Sequence, residues 1–179
     1  MKLGYACINM GFSSLPKTKR ITTNRSMIKR TFLDRGVPYA SELALQNCRD
    51  LIKILKWNYD NDIGFFRMSS NLFPWASEYA LEDLPDFDEI CNHLKNAGDY
   101  ATKINQRLTS HPGPFNKLCA KDDRIVDNTV KELEHHSRIF DLMGFEPSYY
   151  NKINIHIGAA YDNKRETAYR FCKNYDKLS

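Results

Sequence analysis

Short apolar-rich runs alternate along this chain with longer stretches in which apolar residues recur at helical spacing. "KLGYAC" (2–7) reads as a first strand, and "SELALQNCRDLIKILKWN" (41–58) as a first helix, with Ala44, Cys48, Leu51, Ile52 and Leu55 on one stripe and Ser41 as its N-cap. A second strand, "GFFRM" (64–68), leads through "SSNLFPW" into a second helix expected over 85–104, with Pro85 near its start. The third strand, "QRLTS" (106–110), runs into "HPGPF", whose prolines and glycine forbid a continuing strand or helix. The third helix, 122–144, is the most strongly patterned: Val126, Val130, Leu133, Ser137 and Phe140 form its stripe, and Gly144 stands at the C-cap. "KINIHI" (152–157) and "KRETAYRFCKNYDKL" (164–178) supply a fourth strand and a fourth helix.

Repeated strand and helix alternation predicts an α/β fold with a parallel sheet, in which ligands sit at the carboxyl ends of the strands. Polar groups follow each strand: Asn9 after the first, Ser69 and Ser70 after the second, His111 after the third and His156 after the fourth. All four ends open on one face, which in a (β/α) barrel is the face where catalysis is built. A lone strand-end histidine is more often a hydrogen-bonded structural residue than a ligand. Two on successive strands shift the reading towards a metal or a phosphate.

Composition narrows the class. At 179 residues and 42% hydrophobic content the chain reads as one domain, 1–179, able to bury a core. No apolar run approaches the roughly 20 residues needed to cross a bilayer, so no membrane partner is expected. The five cysteines form no CxxC pair, which argues against a disulfide framework and a thiolate zinc site, and an intracellular, reducing location is expected. The net charge of +4 is mild, but "LPKTKRITTNRSMIKR" carries six basic residues, Arg20 and Arg25 among them, and no acid. That segment is either a surface for a phosphate-bearing partner or a solvated loop.

Five blocks, "LGYACIN", "FFRMSSNLFPWAS", "SHPGPF", "LEHHSRIFDLMG" and "KINIHIGAAYDNKRETAYRF", occur in the order and spacing of the UV-damage DNA endonuclease family, and the resemblance covers nearly the whole chain. The resemblance implies a TIM-barrel-like fold of the xylose isomerase type and metal-dependent cleavage of double-stranded DNA immediately 5' of a UV photoproduct. It makes His111 and His156 catalytic metal ligands, with manganese the expected ion and zinc or magnesium the alternatives; imidazole ligands suit Mn or Zn better than Mg. It places Tyr5 and Asn9 near damaged nucleotides, against a plain reading as a core tyrosine and a turn asparagine. Pro114 and Phe115 fall in the loop where the family inserts a polar and an aromatic side chain into the duplex, with Pro114 in place of the usual glutamine. Lys164 becomes either a phosphate contact or a helix-start surface charge. His135 and His136, inside the third helix, are expected to pack and hydrogen-bond rather than bind metal. "SSNLFPW" is either a DNA-facing loop offering Phe73 and Trp75 or a buried turn.

Departures from the family pattern accompany these matches. The paired glycines after the fourth-strand histidine read Gly158 then Ala159, and the turn glycine before the lysine is replaced around Asp162 and Asn163. Only the first four or so βα units of an eight-unit barrel are present, without the glutamate block and the further Asp, His and Glu ligands that the resemblance leads one to expect. A second polypeptide or a second copy is the expected means of completing the barrel. Three readings follow: a UV-damage endonuclease, a catalytically incomplete DNA-binding fragment that needs a second half, and a related barrel acting on a small sugar or polyol. Salt-sensitive DNA binding separates the third from the others.

Overall fold

The computed structural model describes residues 2–158, 161 and 163–178. Four strands, β1 (Gly4–Ala6), β2 (Phe65–Arg67), β3 (Arg107–Ser110) and β4 (Lys152–Ile153), form one sheet in the order β1-β2-β3-β4. All three pairings are parallel, with Gly4 opposite Phe65, Phe65 opposite Arg107 and Thr109 opposite Lys152. Each strand therefore pairs with its predecessor in sequence. Right-handed crossovers in an unreversed order place successive helices on the same side, which winds the sheet as the wall of a barrel and not as a two-sided open sheet.

The helices are α1 (Met10–Ser13), α2 (Lys29–Asp60), α3 (Phe87–Lys103), α4 (Asp123–Leu142) and α5 (Lys164–Tyr175). α2 packs on α3 and α3 on α4. Phe66 and Leu108, at the middle of β2 and β3, are wholly buried in the core that these helices share through Leu51, Leu55, Leu94 and Ile139. Alternation then turns Phe65, Arg67, Arg107 and Thr109 to the opposite, barrel-inner face. Gly98 of α3 lies so close to Met143 that an added Cβ would stand 1.9 Å from the Met143 carbonyl oxygen, so this glycine is required for the α3–α4 approach.

Three expectations need correction. The first helix begins at Lys29, not at Ser41, and bends at Gly36 (φ 64°, ψ −160°) before Pro38 restarts it. Ser41 is accordingly no N-cap; it lies within α2, buried, where its hydroxyl donates to the Asp86 carboxylate at 2.7 Å and accepts from the Asp86 amide at 3.0 Å. The fourth strand stops at Ile153, with one more ladder bond from the Asn154 amide to the Ser110 carbonyl, so His156 stands three residues past the strand end. On α4 the buried stripe runs through Val126, Thr129, Leu133, His136, Ile139 and Phe140, and Ser137 is exposed. Gly144 does end that helix, at φ 77°, with the Phe145 amide reaching back to the Phe140 carbonyl. No disulfide joins any two of the five cysteines. Among the described residues no helix is long and apolar enough to cross a membrane.

The two α4 histidines differ in setting. His136 is 2% exposed; its Nδ1 lies 2.7 Å from the Ser110 hydroxyl and its Nε2 lies 3.5 Å from the Glu132 carboxylate, so α4 grips the end of β3. His135 sets its ring edge-on against Phe73 at 5.2 Å, and burial, assisted by the neighbouring His136, lowers its pKa to about 4. Between pH 7 and pH 5 the unfolded chain therefore takes up a proton that the folded chain refuses, and stability falls with pH. The expected loss is roughly 1.5 kcal/mol after allowance for partial solvent screening. Urea unfolding at the two pH values checks it: His135→Phe should flatten the difference, and an unflattened difference would assign it to another group.

Candidate functional site at the carboxyl ends of the strands

The sheet's order brings the carboxyl ends of all four strands to one rim. β3 delivers His111 directly, and the segment after β4 returns His156 to the same point. Their Nε2 atoms face one another at 2.7 Å, with the rings 4.4 Å apart and nearly perpendicular. At that distance one ring nitrogen donates its proton to the lone pair of the other, and two protons do not fit. Burial, followed by the charges of His156, Arg67 and His136, lowers the pKa of His111. His111 is thus uncharged at neutral pH, the form of imidazole that ligates metals.

The donor set has the right chemistry for a divalent transition ion and an insufficient count. A catalytic site usually takes three or more protein ligands per ion, and among the described residues no group of three His, Cys, Asp or Glu converges. His111 and His156 are suited to be two ligands of a site whose remaining ligands these residues do not supply.

Tyr5 and Asn9 stand at the end of β1 in a hydrogen-bonded set. The Tyr5 hydroxyl donates to Asn58 at 2.7 Å and accepts from Asn9 at 2.9 Å, while the Asn9 side-chain Oδ1 caps α1 by accepting from the Phe12 amide. Burial raises the Tyr5 pKa against the opposing pull of these two amides, so the hydroxyl keeps its proton as donor. Ser69, after β2, bonds to Asn24, and Asn24 in turn holds the Cys7 carbonyl. The rim is therefore braced between neighbouring strand ends.

The basic segment splits into two parts. Arg25 is tied to buried Asp50 at 2.6 Å and to the Thr22 carbonyl at 2.6 Å, a structural ion pair that removes its charge from the surface. Lys17, Lys19, Arg20, Lys29 and Arg30 are exposed, Arg20 with its Nε on the Leu15 carbonyl. Pro114 and Phe115 form the tip of a turn closed by the Asn116 amide on the Gly113 carbonyl at 3.1 Å, and Phe115 is 86% exposed. Lys164 is the exposed first residue of α5, whose N-cap is Asn163. Ala159 and Asp162 lie outside the described residues.

"SSNLFPW" is a buried turn: Phe73 is buried, and Trp75 stacks on Phe32 at 5.6 Å with its indole N–H on the Met27 carbonyl. A cleft of about 560 Å³ between the 76–82 segment and α4 includes no strand-end residue. Sequence reasoning passed over Arg67 and Thr109, which stand opposite one another on the inner face of β2 and β3. The period-2 alternation was the available signal, but it does not say which face the helices cover.

A family model described as UV-endonuclease UvdE matches residues 1–179, the full length of the chain. The chain belongs to the UV-endonuclease UvdE family. Among UvdE relatives, the UV-damage endonuclease of Schizosaccharomyces pombe is 35% identical over 99% of this chain and 29% of its own length. The UV DNA damage endonuclease of Clostridium perfringens is 30% identical over 100% of this chain and 40% of its own. The crystal structure of SacUVDE superposes with a TM-score of 0.83 at 28% identity, covering 100% of this chain and 57% of that one. The chain thus spans between about a third and a little over half of these UvdE proteins, and the superposition supports the partial-barrel winding derived from strand order.

Proposed function

We propose that this protein acts in the repair of ultraviolet-damaged DNA as a UV-damage endonuclease, hydrolysing the phosphodiester 5' of a photoproduct with divalent metal ions, manganese in the first place. The observation that carries the proposal is the His111–His156 pair, two imidazoles converging at 2.7 Å on the strand-end rim of a UvdE-family chain. Bound divalent ions would supply hydroxide near neutral pH and absorb charge on the phosphate. His111 and His156 would hold two coordination positions, and His136 would keep the β3 end, and with it His111, in place. Phe115 would fill the stack where damaged bases are displaced. The exposed lysines and arginines of the basic segment would attract the duplex by counterion release, while Arg25 would act only through Asp50.

The absence of a third converging ligand among the described residues favours a second reading, a DNA-binding portion that needs further ligands from a second polypeptide or a second copy. Nicking of irradiated supercoiled plasmid with added Mn²⁺ decides between them. The expected result is irradiation-dependent nicking that disappears with chelator and in His156→Ala. A folded chain that binds irradiated plasmid and leaves it intact would establish the second reading.

A further inference from the structure

Below the histidine pair, one step towards the amino ends of the strands, two polar side chains on the barrel-inner face lack partners. Arg67 of β2 and Thr109 of β3 are register partners on adjacent strands, which run about 4.8 Å apart. Thr109 is 1% exposed, and its Oγ1 has no hydrogen-bond partner. The Arg67 Nε is buried and likewise without a partner, and among the described residues no carboxylate pairs with its guanidinium. Arg107, one layer lower on the same face, is by contrast engaged: its Nε donates to the Tyr150 carbonyl at 2.7 Å and its guanidinium lies over the Phe65 ring. Buried polar groups are satisfied in the great majority of cases, so two adjacent orphans on the wall that carries His111 require an explanation. The Arg67 charge also acts on His111, lowering its pKa after burial and His156.

We propose that Arg67 and Thr109 form an anchor for a phosphate oxygen, placed to hold a phosphodiester beneath His111 and His156. A guanidinium fork and a hydroxyl side by side are donors only a few ångströms apart, matched to the oxygens of one tetrahedral anion. The inference rests on the reading of DNA as substrate for the source of that phosphate, but not for the existence of the anchor.

The test uses ¹⁵N-labelled full chain titrated with inorganic phosphate, followed by duplex binding in Arg67→Gln and Thr109→Val. The Arg67 Nε–H signal, identified by its loss in Arg67→Gln, should move saturably while that of exposed Arg20 stays in place. Arg67→Gln should weaken duplex binding about tenfold and reduce the salt slope by about one, and Thr109→Val should weaken it about threefold. Thermal midpoints should stay level or rise, since an orphan buried donor is removed. A fall in the midpoint of Arg67→Gln with an unmoved Nε–H signal would make the arginine structural and overturn the anchor. Unchanged affinity and slope in Arg67→Gln, in a wild-type chain that binds duplex, would overturn it while the DNA reading stands. An Arg67 response to phosphate in a chain that binds no duplex would support the anchor and remove DNA as the source.

Discussion

A His111→Ala substitution is expected to lower the affinity of the chain for Mn²⁺ by about 100-fold, and His156→Ala to do the same. Two nitrogen donors converge here, so removal of either leaves a single imidazole and no chelate. The His111 ring is held neutral chiefly by burial, reinforced by His156, Arg67 and His136, so no net proton has to be released from it at neutral pH for it to ligate a metal. Imidazole donors also predict an order, Zn²⁺ tighter than Mn²⁺ and Mg²⁺ weakest. Electron paramagnetic resonance of free Mn²⁺ gives the affinity directly, and competition with Zn²⁺ and Mg²⁺ gives the order. The alternative is that the 2.7 Å contact serves only as a structural hydrogen bond. In that case both variants would retain the wild-type Mn²⁺ affinity and would lose thermal stability instead. Reading metal affinity separately from nicking keeps the ligand assignment testable even if catalysis needs groups from elsewhere.

Phe115→Ala is expected to weaken binding to irradiated duplex by about 30-fold while leaving the thermal midpoint unchanged. The ring is 86% exposed at the tip of the Gly113–Asn116 turn and contributes nothing to the core. Pro114, immediately before it in the turn, presets the backbone, and the base of the loop is fastened by the Lys117 amide on the Thr129 hydroxyl at 2.9 Å. An apolar side chain held out from a braced loop loses little freedom on binding, so its stacking on a base, about 1–3 kcal/mol, appears almost undiminished in affinity. Undamaged duplex offers no opened stack to fill, so its affinity should fall much less. Fluorescence anisotropy with irradiated and unirradiated duplexes of one sequence makes the comparison. Equal losses on both would reduce Phe115 to a general surface contact, and no loss on either would remove it from the interface.

The alternation of elements was legible because period-2 and period-3.6 patterns follow from local geometry, and the position of His111 at the end of β3 followed from that alternation, whereas β4 stops three residues short of His156. The start of α2 was not. Its first residues are basic and are followed by Gly36 and Pro38, local signals of a loop, while the contact that holds this limb in place, Phe32 on Trp75, joins residues more than forty positions apart. Arg25 presents the same difficulty: it belongs by composition to a cationic surface and by structure to Asp50. Ser137 and His136 exchanged places because a polar side chain with a buried partner occupies a core position as an apolar one does, and Ser110 lies 26 residues away in sequence. Arg67 and Thr109 became visible only once Phe66 and Leu108 had shown which face the helices cover.

The nearest-neighbour strand order has a bearing on biosynthesis. Each strand docks on the one made immediately before it, so no rung of the ladder waits for a segment still to be translated. The core formed by α2, β2, α3 and β3 is complete in composition once β3 has left the ribosome, and α4 then seals it through Ile139, Phe140 and Met143. Synthesis at roughly 5–20 residues per second is slow beside the pairing of neighbouring units. The growing chain can therefore assemble this wall in the order in which it emerges, with His111 and His156 brought together only after β4 has paired with β3.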